Sequence, residues 1–260
     1  MLYGLKLVAL GAVTLLASLL TVSFGLFDPY GKHVYCIKRL WSWLILTIGG
    51  VSLRVNGLDL IDPKRQYIFM VNHQSNLDIP VLIQSLPGFQ LRWLTKKELL
   101  WIPLFGWALW AAKEIFVDRA DRNDALRSLN KAKARMAGGI SVVIFPEGTR
   151  SSDGRLLPFK RGGFLLAART QTAIVPVAIN GSGNILPKGD WRLRRGVVEV
   201  TVSPPVAAAD HRSASSRTLS AQVRERIAAD LAPIEGEANR QGCAEQAVAE
   251  ERSSCARGPI

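Results

Sequence analysis

Val71–Asp78, with the sequence VNHQSNLD, lies between two apolar runs. The run before it, Tyr67–Met70, has the composition of a buried strand, and the run after it, Ile79–Ile83, is compatible with the start of a helix. The stretch is therefore predicted to be the turn between a strand and a helix.

His73 and Asp78 are five positions apart in this turn. If Ser75 or Asn76 caps the helix and Pro80 lies in its first turn, the carboxylate can fold back toward the imidazole at the strand end. A histidine oriented by an aspartate is the geometry of a general base. The alternative is a capped turn in which the histidine only bonds a backbone carbonyl.

No other residue offers a better base or an evident nucleophile. The chain has three histidines, and only His73 lies between apolar runs. His33 lies by the membrane segment and His211 before the last helix, and both are interpreted as solvated surface residues. An unperturbed imidazole has a pKa of about 6.5, which suits a base at neutral pH. No G-x-S-x-G motif marks a nucleophilic serine, and Ser75, close to His73, is better explained as a helix cap.

The composition favours an anionic partner. The 260 residues contain 33 Lys+Arg and 21 Asp+Glu, a formal charge of +12. Nucleic acid, anionic lipid and phosphorylated substrates all fit this charge. Residues 7–27 carry no charge and match the roughly 20 residues that cross a bilayer, so a membrane partner is favoured. Nucleic-acid binding through Arg192–Arg195 is disfavoured, since Trp191 is the only aromatic residue beside it.

The N-terminal part is predicted to be a membrane anchor, residues 1–53. Its first helix covers about 7–27, and the basic residues that follow it place the rest of the chain in the cytoplasm. A second uncharged run, 40–53, is short for a membrane span and is predicted to be an interfacial or re-entrant helix. A core helix of the soluble domain is the alternative.

From residue 54 to 233, short β-type runs alternate with helical stretches, which predicts an α/β sheet flanked by helices. The expected strands are Ser52–Val55, Tyr67–Val71, Leu91–Leu94, Ile115–Val117, Ser141–Phe145, Ile174–Ile179 and Val197–Val202. The expected helices are Ile79–Ser85, Asp124–Met136, Gly163–Thr170 and Thr218–Leu231. Residues 234–260 are polar and aperiodic, and are predicted to be a disordered tail. The three cysteines are too scattered for a zinc site or a disulfide framework.

A second informative stretch, Val143–Ser151 (VIFPEGTRS), leaves a predicted strand and is followed by the basic, glycine-containing segment Phe159–Gly163. Glycines, cations and a helix start suit a phosphate group, because backbone N–H groups and guanidinium groups both donate hydrogen bonds to oxygen. A charged surface loop with a structural Glu–Arg pair is the alternative.

The order of the motifs resembles that of the glycerolipid acyltransferases, in particular the bacterial 1-acyl-sn-glycerol-3-phosphate acyltransferases. The matching blocks cover about residues 55–205. They are Asn72–Asp78, Lys96–Leu99 with Ile102–Trp107, Ile115–Arg119, Phe145–Ser151 and Val175–Ile179. Lys113-Glu114 departs from the pattern, because the family often has glycine two residues before Ile115.

The resemblance implies a central mixed sheet preceded by membrane helices. It also implies transfer of a fatty acyl group from acyl-CoA or acyl-carrier protein to the sn-2 hydroxyl of lysophosphatidic acid, giving phosphatidic acid at the cytoplasmic face of the bacterial inner membrane. No metal or cofactor is expected, since the thioester is already activated.

The resemblance further assigns roles to individual residues. His73 would be the base and Asp78 its orienting group. Arg150, Arg119 and one of Lys96 or Lys97 would hold the acceptor phosphate, with Lys160 and Arg161 as weaker candidates. Glu147 and Gly148 would order the glycerol.

Two alternatives stay open. The first is the same chemistry on a lyso-ornithine lipid or on glycerol 3-phosphate. The second is an inactive membrane-tethered binding module, which retention of both His73 and Asp78 disfavours.

Overall fold

The computed structural model describes residues 2–28, 30–118, 122–136, 138–208 and 216–232. Seven strands form its central sheet: β1 (Val51–Asn56), β2 (Ile68–Val71), β3 (Leu91–Lys96), β4 (Ile115–Val117), β5 (Ser141–Ile144), β6 (Ile174–Asn180) and β7 (Gly196–Val202). Their order is β1-β7-β6-β2-β5-β3-β4. All neighbours are parallel except β6 and β7, so the sheet is mixed, as predicted.

Helices flank the sheet. They are α1 (Leu2–Gly25), α2 (Lys32–Gly49), α3 (Asp78–Ser85), α4 (Phe105–Ala111), α5 (Arg122–Met136), α6 (Gly162–Thr170), α7 (Ser182–Ile185) and α8 (Ser216–Ala229), with short 3-10 turns at Leu58–Leu60 and Lys97–Trp101. Each predicted strand is present, with ends that differ by at most two residues.

The central strands are buried along their whole length. Every residue of β2 and β5 is buried, and so are the first six residues of β6. Strands covered on both faces are continuous apolar runs rather than alternating ones, which is why these three were visible in the sequence.

The predicted second helix, 40–53, is wrong in its bounds. Helix α2 begins at Lys32 because the Asp28 carboxylate accepts hydrogen bonds from the backbone N–H groups of His33 (2.7 Å) and Val34 (3.1 Å) at its first turn. It ends where Gly50 adopts a left-handed conformation, φ 71°. One face of α2 is buried against α3 and β1, as in the core-helix alternative.

Helix α1 has the features of a membrane helix. It packs on α2 and α4, and a Cβ on Gly25 would lie 2.8 Å from the Cβ of Ala111. Within the described residues, Gly4–Gly25 is long and apolar enough to cross a membrane, and 11% of its most apolar window is buried. This exposed apolar helix indicates membrane association. The domain boundaries at 53 and 233 stay predictions, and the predicted tail lies outside the described residues.

Candidate active site

The carboxyl ends of β2, β5 and β3 meet at one edge of the sheet, because these strands are parallel neighbours. His73 follows β2, Glu147 and Gly148 follow β5, and Lys96 ends β3. Ligands of open α/β sheets bind beyond the carboxyl ends of the strands. The topology thus brings segments that are distant in sequence to one edge.

His73 and Asp78 are in contact. His73 Nδ1 lies 2.7 Å from Asp78 Oδ2, and the same oxygen accepts hydrogen bonds from the backbone N–H groups of Gln74 (2.8 Å) and Ser75 (2.9 Å). The Asp78 side chain is fully buried, whereas 15% of the His73 side chain is exposed. A carboxylate at Nδ1 favours the tautomer protonated there and leaves Nε2 free to accept a proton.

The predicted cap at Ser75 or Asn76 is wrong. The residue before α3 is Leu77, and it makes no side-chain capping bond. Ser75 Oγ instead accepts a hydrogen bond from the Leu77 N–H (3.1 Å) and donates one to the Leu186 carbonyl (2.7 Å). Ser75 therefore ties the turn at residues 73–78 to the segment after α7, because its hydroxyl has two partners within the loops.

The backbone of His73 is held on both sides by the loop after β5. Its N–H donates to Glu147 Oε1 (2.8 Å), and its carbonyl accepts a hydrogen bond from the Ser151 N–H (2.8 Å). The Phe145 ring stacks on the imidazole, with centroids 3.9 Å apart and planes 12° apart. The imidazole is thus fixed by its ring face, its Nδ1 and its backbone.

Glu147 is buried and both of its carboxylate oxygens have partners. Oε1 accepts from His73, and Oε2 accepts from the Leu157 N–H (2.9 Å). Burial raises the pKa of this carboxyl group, while the two backbone N–H groups oppose the rise. The carboxylate joins the backbone of His73 to that of Leu157. The role of Glu147 in ordering the glycerol stays a prediction.

Gly148 allows a close approach of Lys160. The glycine has φ 74°, and a Cβ there would lie 2.8 Å from Lys160 Cε. Arg150 is half-buried, and its carbonyl accepts a hydrogen bond from Lys188 Nζ (2.9 Å). Within the described part of the chain, no carboxylate pairs with the guanidinium of Arg150 or the ammonium of Lys160. Both cations can therefore meet an anionic ligand, while their phosphate-binding role stays a prediction.

The other predicted phosphate ligands lie toward β3 and β4. Lys96 pairs with Glu98 (3.0 Å) and Lys97 with Asp118 (3.8 Å). Both lysine side chains are at least half exposed, and such pairs stabilise by only about 0–1 kcal/mol. A phosphate can thus compete for either lysine. Arg119 lies outside the described residues.

Among the described residues, no group of three or more His, Cys, Asp or Glu side chains is placed to hold a metal ion.

Comparison with known proteins identifies the family. An acyltransferase family model matches residues 52–180. A 1-acyl-sn-glycerol-3-phosphate acyltransferase of Pseudomonas aeruginosa is 33% identical over 187 residues, which are 69% of this chain and 70% of that protein. The chain belongs to this acyltransferase family. The human 1-acyl-sn-glycerol-3-phosphate acyltransferase alpha is 37% identical over 179 residues, or 68% of this chain.

The acyltransferase fold is shared with a solved structure. The crystal structure of the 1-acyl-sn-glycerophosphate acyltransferase PlsC from Thermotoga maritima has a TM-score of 0.69 and 27% sequence identity, and the match covers 87% of this chain and 95% of that one. The match to mammalian relatives is less complete, since it spans 62% and 63% of the sheep and human proteins.

The departure from the acyltransferase pattern at Lys113-Glu114 has a structural explanation. Lys113 adopts φ 60°, a left-handed conformation that ordinarily favours glycine. Glu114 is buried, accepts a hydrogen bond from the Trp93 N–H (2.7 Å) and pairs with Lys38 of α2. The loop keeps the backbone shape that glycine would give and gains a buried ion pair.

Two residues of the site were missed by the sequence analysis. Asn72 is buried, and its side chain exchanges two hydrogen bonds with the Ile179 backbone, at 2.9 and 2.7 Å, joining β2 to β6. Phe145 stacks on His73. A polar residue at the end of an apolar run was the available signal for Asn72; nothing local marks Phe145 as a partner of the imidazole.

Proposed function

We propose that this protein transfers a fatty acyl group from a thioester donor to the sn-2 hydroxyl of 1-acyl-sn-glycerol 3-phosphate and forms phosphatidic acid. The observation that carries the proposal is the His73–Asp78 pair, held in place beside two cations at the edge of the sheet. Membership of the acyltransferase family, with relatives named for this reaction, supports it.

The reaction needs one proton transfer. His73 Nε2 accepts the proton of the glycerol hydroxyl as its oxygen attacks the thioester carbonyl, and Asp78 stabilises the imidazolium that forms. The tetrahedral intermediate then expels the thiolate, which takes the proton back from His73. The new C–O ester bond replaces the C–S bond, and the histidine returns to its neutral form.

Positioning and charge supply the rest of the catalysis. A general base typically contributes a factor of about 10² to 10⁴, so correct placement of both substrates has to contribute as well. Arg150, Lys160 and one of Lys96 or Lys97 bind the acceptor phosphate through charge-assisted hydrogen bonds, together with Arg119.

The remaining partners follow from the chemistry. The donor is acyl-CoA or acyl-carrier protein, and no metal or other cofactor takes part. The apolar α1 would hold the enzyme at the bacterial inner membrane, and the positive-inside rule, applied to the basic residues after α1, supports an active site on the cytoplasmic face. Nucleic acid is not a partner.

Acyl transfer by purified protein in lipid-containing micelles tests the proposal. His73→Ala should lower turnover with lysophosphatidic acid by about 10³-fold, because the base is lost. His33→Ala is the matched control, since the His33 side chain is 84% exposed and should keep wild-type activity. Equal rates for wild type and His73→Ala would refute the mechanism.

The assignment of Arg150 to the acceptor phosphate is tested with an acceptor that has no phosphate. Arg150→Ala should weaken use of lysophosphatidic acid at least about tenfold and spare monoacylglycerol, which lacks the phosphate. Arg169→Ala, at an exposed position of α6, is the control. An equal loss with both acceptors would refute the assignment. Competition with lyso-ornithine lipid and glycerol 3-phosphate separates the proposed acceptor from these alternatives.

A further inference from the structure

The segment between α7 and β7, residues 186–195, carries an exposed tryptophan among basic residues, and we call it the strap. The Trp191 side chain is exposed (78%), and it is followed by Arg192, Arg194 and Arg195, which are exposed as well. We propose that the strap is a membrane-contacting surface of the acyltransferase domain, with the indole of Trp191 in the headgroup region of the bilayer and the three arginines on anionic lipid.

The exposure of Trp191 is a property of the folded strap, because the backbone is held on both sides of it. The Asp190 N–H donates to the Pro187 carbonyl (3.1 Å), and the Arg194 N–H donates to the Ile185 carbonyl (3.0 Å). Leu193 is buried. The strap therefore presents the indole at a fixed place on the surface.

Trp191 borders the apolar surface of α1. Trp191 and Leu193 line the same cavity as Leu7, Leu10 and Leu15 of α1. Leu7 and Leu15 are also exposed, on the helix whose length and apolar composition indicate membrane association. Tryptophan is enriched at membrane–water interfaces, because its ring is apolar while its N–H can still meet polar headgroups. A bilayer that covers this part of α1 therefore reaches the indole.

The charge of the strap fits anionic headgroups. Residues 186–195 contain four basic residues and one acidic residue, a net charge of +3. The acidic residue, Asp190, pairs with Arg192 (3.1 Å) and Arg194 (3.6 Å), but more than half of each arginine side chain is exposed. Each basic residue near an anionic membrane contributes roughly 1 kcal/mol. Nucleic acid or an acidic protein offers the same charge, but neither would cover the apolar face of α1 beside the strap.

The strap also contacts the active-site edge. The Leu186 carbonyl accepts a hydrogen bond from Ser75 Oγ (2.7 Å), and Lys188 Nζ donates one to the Arg150 carbonyl (2.9 Å). The strap thus joins the loops of Ser75 and Arg150 to the lipid-contacting surface. Contact of the strap with the bilayer brings the active-site edge close to the headgroups, where the glycerol and phosphate of a lysolipid lie.

A polarity-sensitive fluorophore at residue 191 tests the contact. Trp191→Cys is made in the full chain with its three cysteines replaced by serine, labelled, and reconstituted in vesicles of phosphatidylcholine and phosphatidylglycerol. Emission should shift to the blue and be quenched by lipids with spin-labelled headgroups. Arg169→Cys is the matched control, because Arg169 is exposed on α6, which packs on α5 and α8; its label should show neither effect. Equal emission from the two labels would overturn the proposal.

The charge of the strap predicts a dependence on lipid composition, and this measurement rests on the proposed function. Arg192→Gln with Arg195→Gln should lower kcat/KM for lysophosphatidic acid about tenfold in anionic vesicles and less than about twofold in phosphatidylcholine alone, because two headgroup attractions are lost. Arg169→Gln with Arg217→Gln is the charge-matched control, since both arginines are exposed on α6 and α8, and it should match wild type. An equal loss in both kinds of vesicle would overturn the assignment of the arginines to anionic lipid.

The two measurements can fail separately. If the wild-type protein transfers no acyl group to lysophosphatidic acid, the proposed function fails, while the fluorescence at residue 191 still tests the strap. A label at residue 191 that responds to acyl-carrier protein or to duplex DNA, but not to vesicles, would overturn the lipid assignment and give the strap to that partner.

Discussion

Glu114 and Glu147 are both buried and both accept a backbone N–H from a neighbouring segment, yet their surroundings differ. Glu114 pairs with the Lys38 ammonium. Glu147 has two backbone N–H groups and no cation among the described residues. A buried carboxylate that is stabilised by backbone N–H groups leaves nearby cations available to a ligand. A buried carboxylate that is paired with a lysine occupies that lysine. The active-site edge uses amides, so Arg150 and Lys160 can serve a phosphate.

Removing the carboxylate from the ion pair should have the largest effect on stability. Glu114→Gln leaves the buried Lys38 ammonium without its counter-charge, and we expect a loss of about 3–5 kcal/mol in the free energy of unfolding. Denaturation in detergent measures it. The double variant Lys38→Met, Glu114→Gln should regain most of this loss, because both charges are gone. A double variant as unstable as Glu114→Gln would contradict the role of the ion pair.

The lysine of this pair should also make stability depend on pH. Burial lowers the pKa of Lys38 from its ordinary 10.5 to about 8, although Glu114 opposes the shift. Between these values the unfolded chain binds the proton and the folded chain does not, so this group makes stability rise with pH from about 8 to about 10.5. The rise is at most about 3 kcal/mol. Lys38→Met should lack it, and a constant difference between the two proteins over this range would contradict the shift.

Glu147→Gln should destabilise the protein less than Glu114→Gln does and should lower acyl transfer more. The glutamine side chain has one acceptor oxygen, but the N–H groups of His73 and Leu157 each donate to a separate oxygen of Glu147. One N–H group is then left without an acceptor, so we expect the free energy of unfolding to fall by about 1–3 kcal/mol. Turnover should fall about tenfold while KM for the acceptor stays near wild type, because the backbone N–H of His73 loses its acceptor but the proposed phosphate ligands remain. A higher KM with unchanged turnover would indicate that Glu147 contacts the substrate instead.

Much of this comparison could not be predicted from the sequence. The central strands β2, β5 and β6 were predicted because buried strands are continuous apolar runs, and the His73–Asp78 pair because its members are close in the chain. His73 and Glu147 are 74 positions apart, and Lys38 and Glu114 are 76 apart. No local periodicity encodes a contact between a carboxylate and a distant backbone N–H. Helix α4 was missed because it is short and follows Pro103 and Leu104, whose φ of 63° is uncommon for a bulky residue.

A third glutamate tests whether burial is what makes the first two important. Glu199 of β7 pairs with Arg54 of β1 at 3.2 Å, but 49% and 69% of the two side chains are exposed. Water screens such a pair and the side chains lose entropy on forming it, so its contribution is small. Glu199→Gln should change the free energy of unfolding by less than about 0.5 kcal/mol and leave turnover unchanged. The same assays used for Glu114→Gln and Glu147→Gln measure both quantities. If Glu199→Gln lowered the free energy of unfolding as much as Glu114→Gln or Glu147→Gln does, removing the charge would be enough to explain all three losses. Burial and the identity of the hydrogen-bond donor would then have no separate effect.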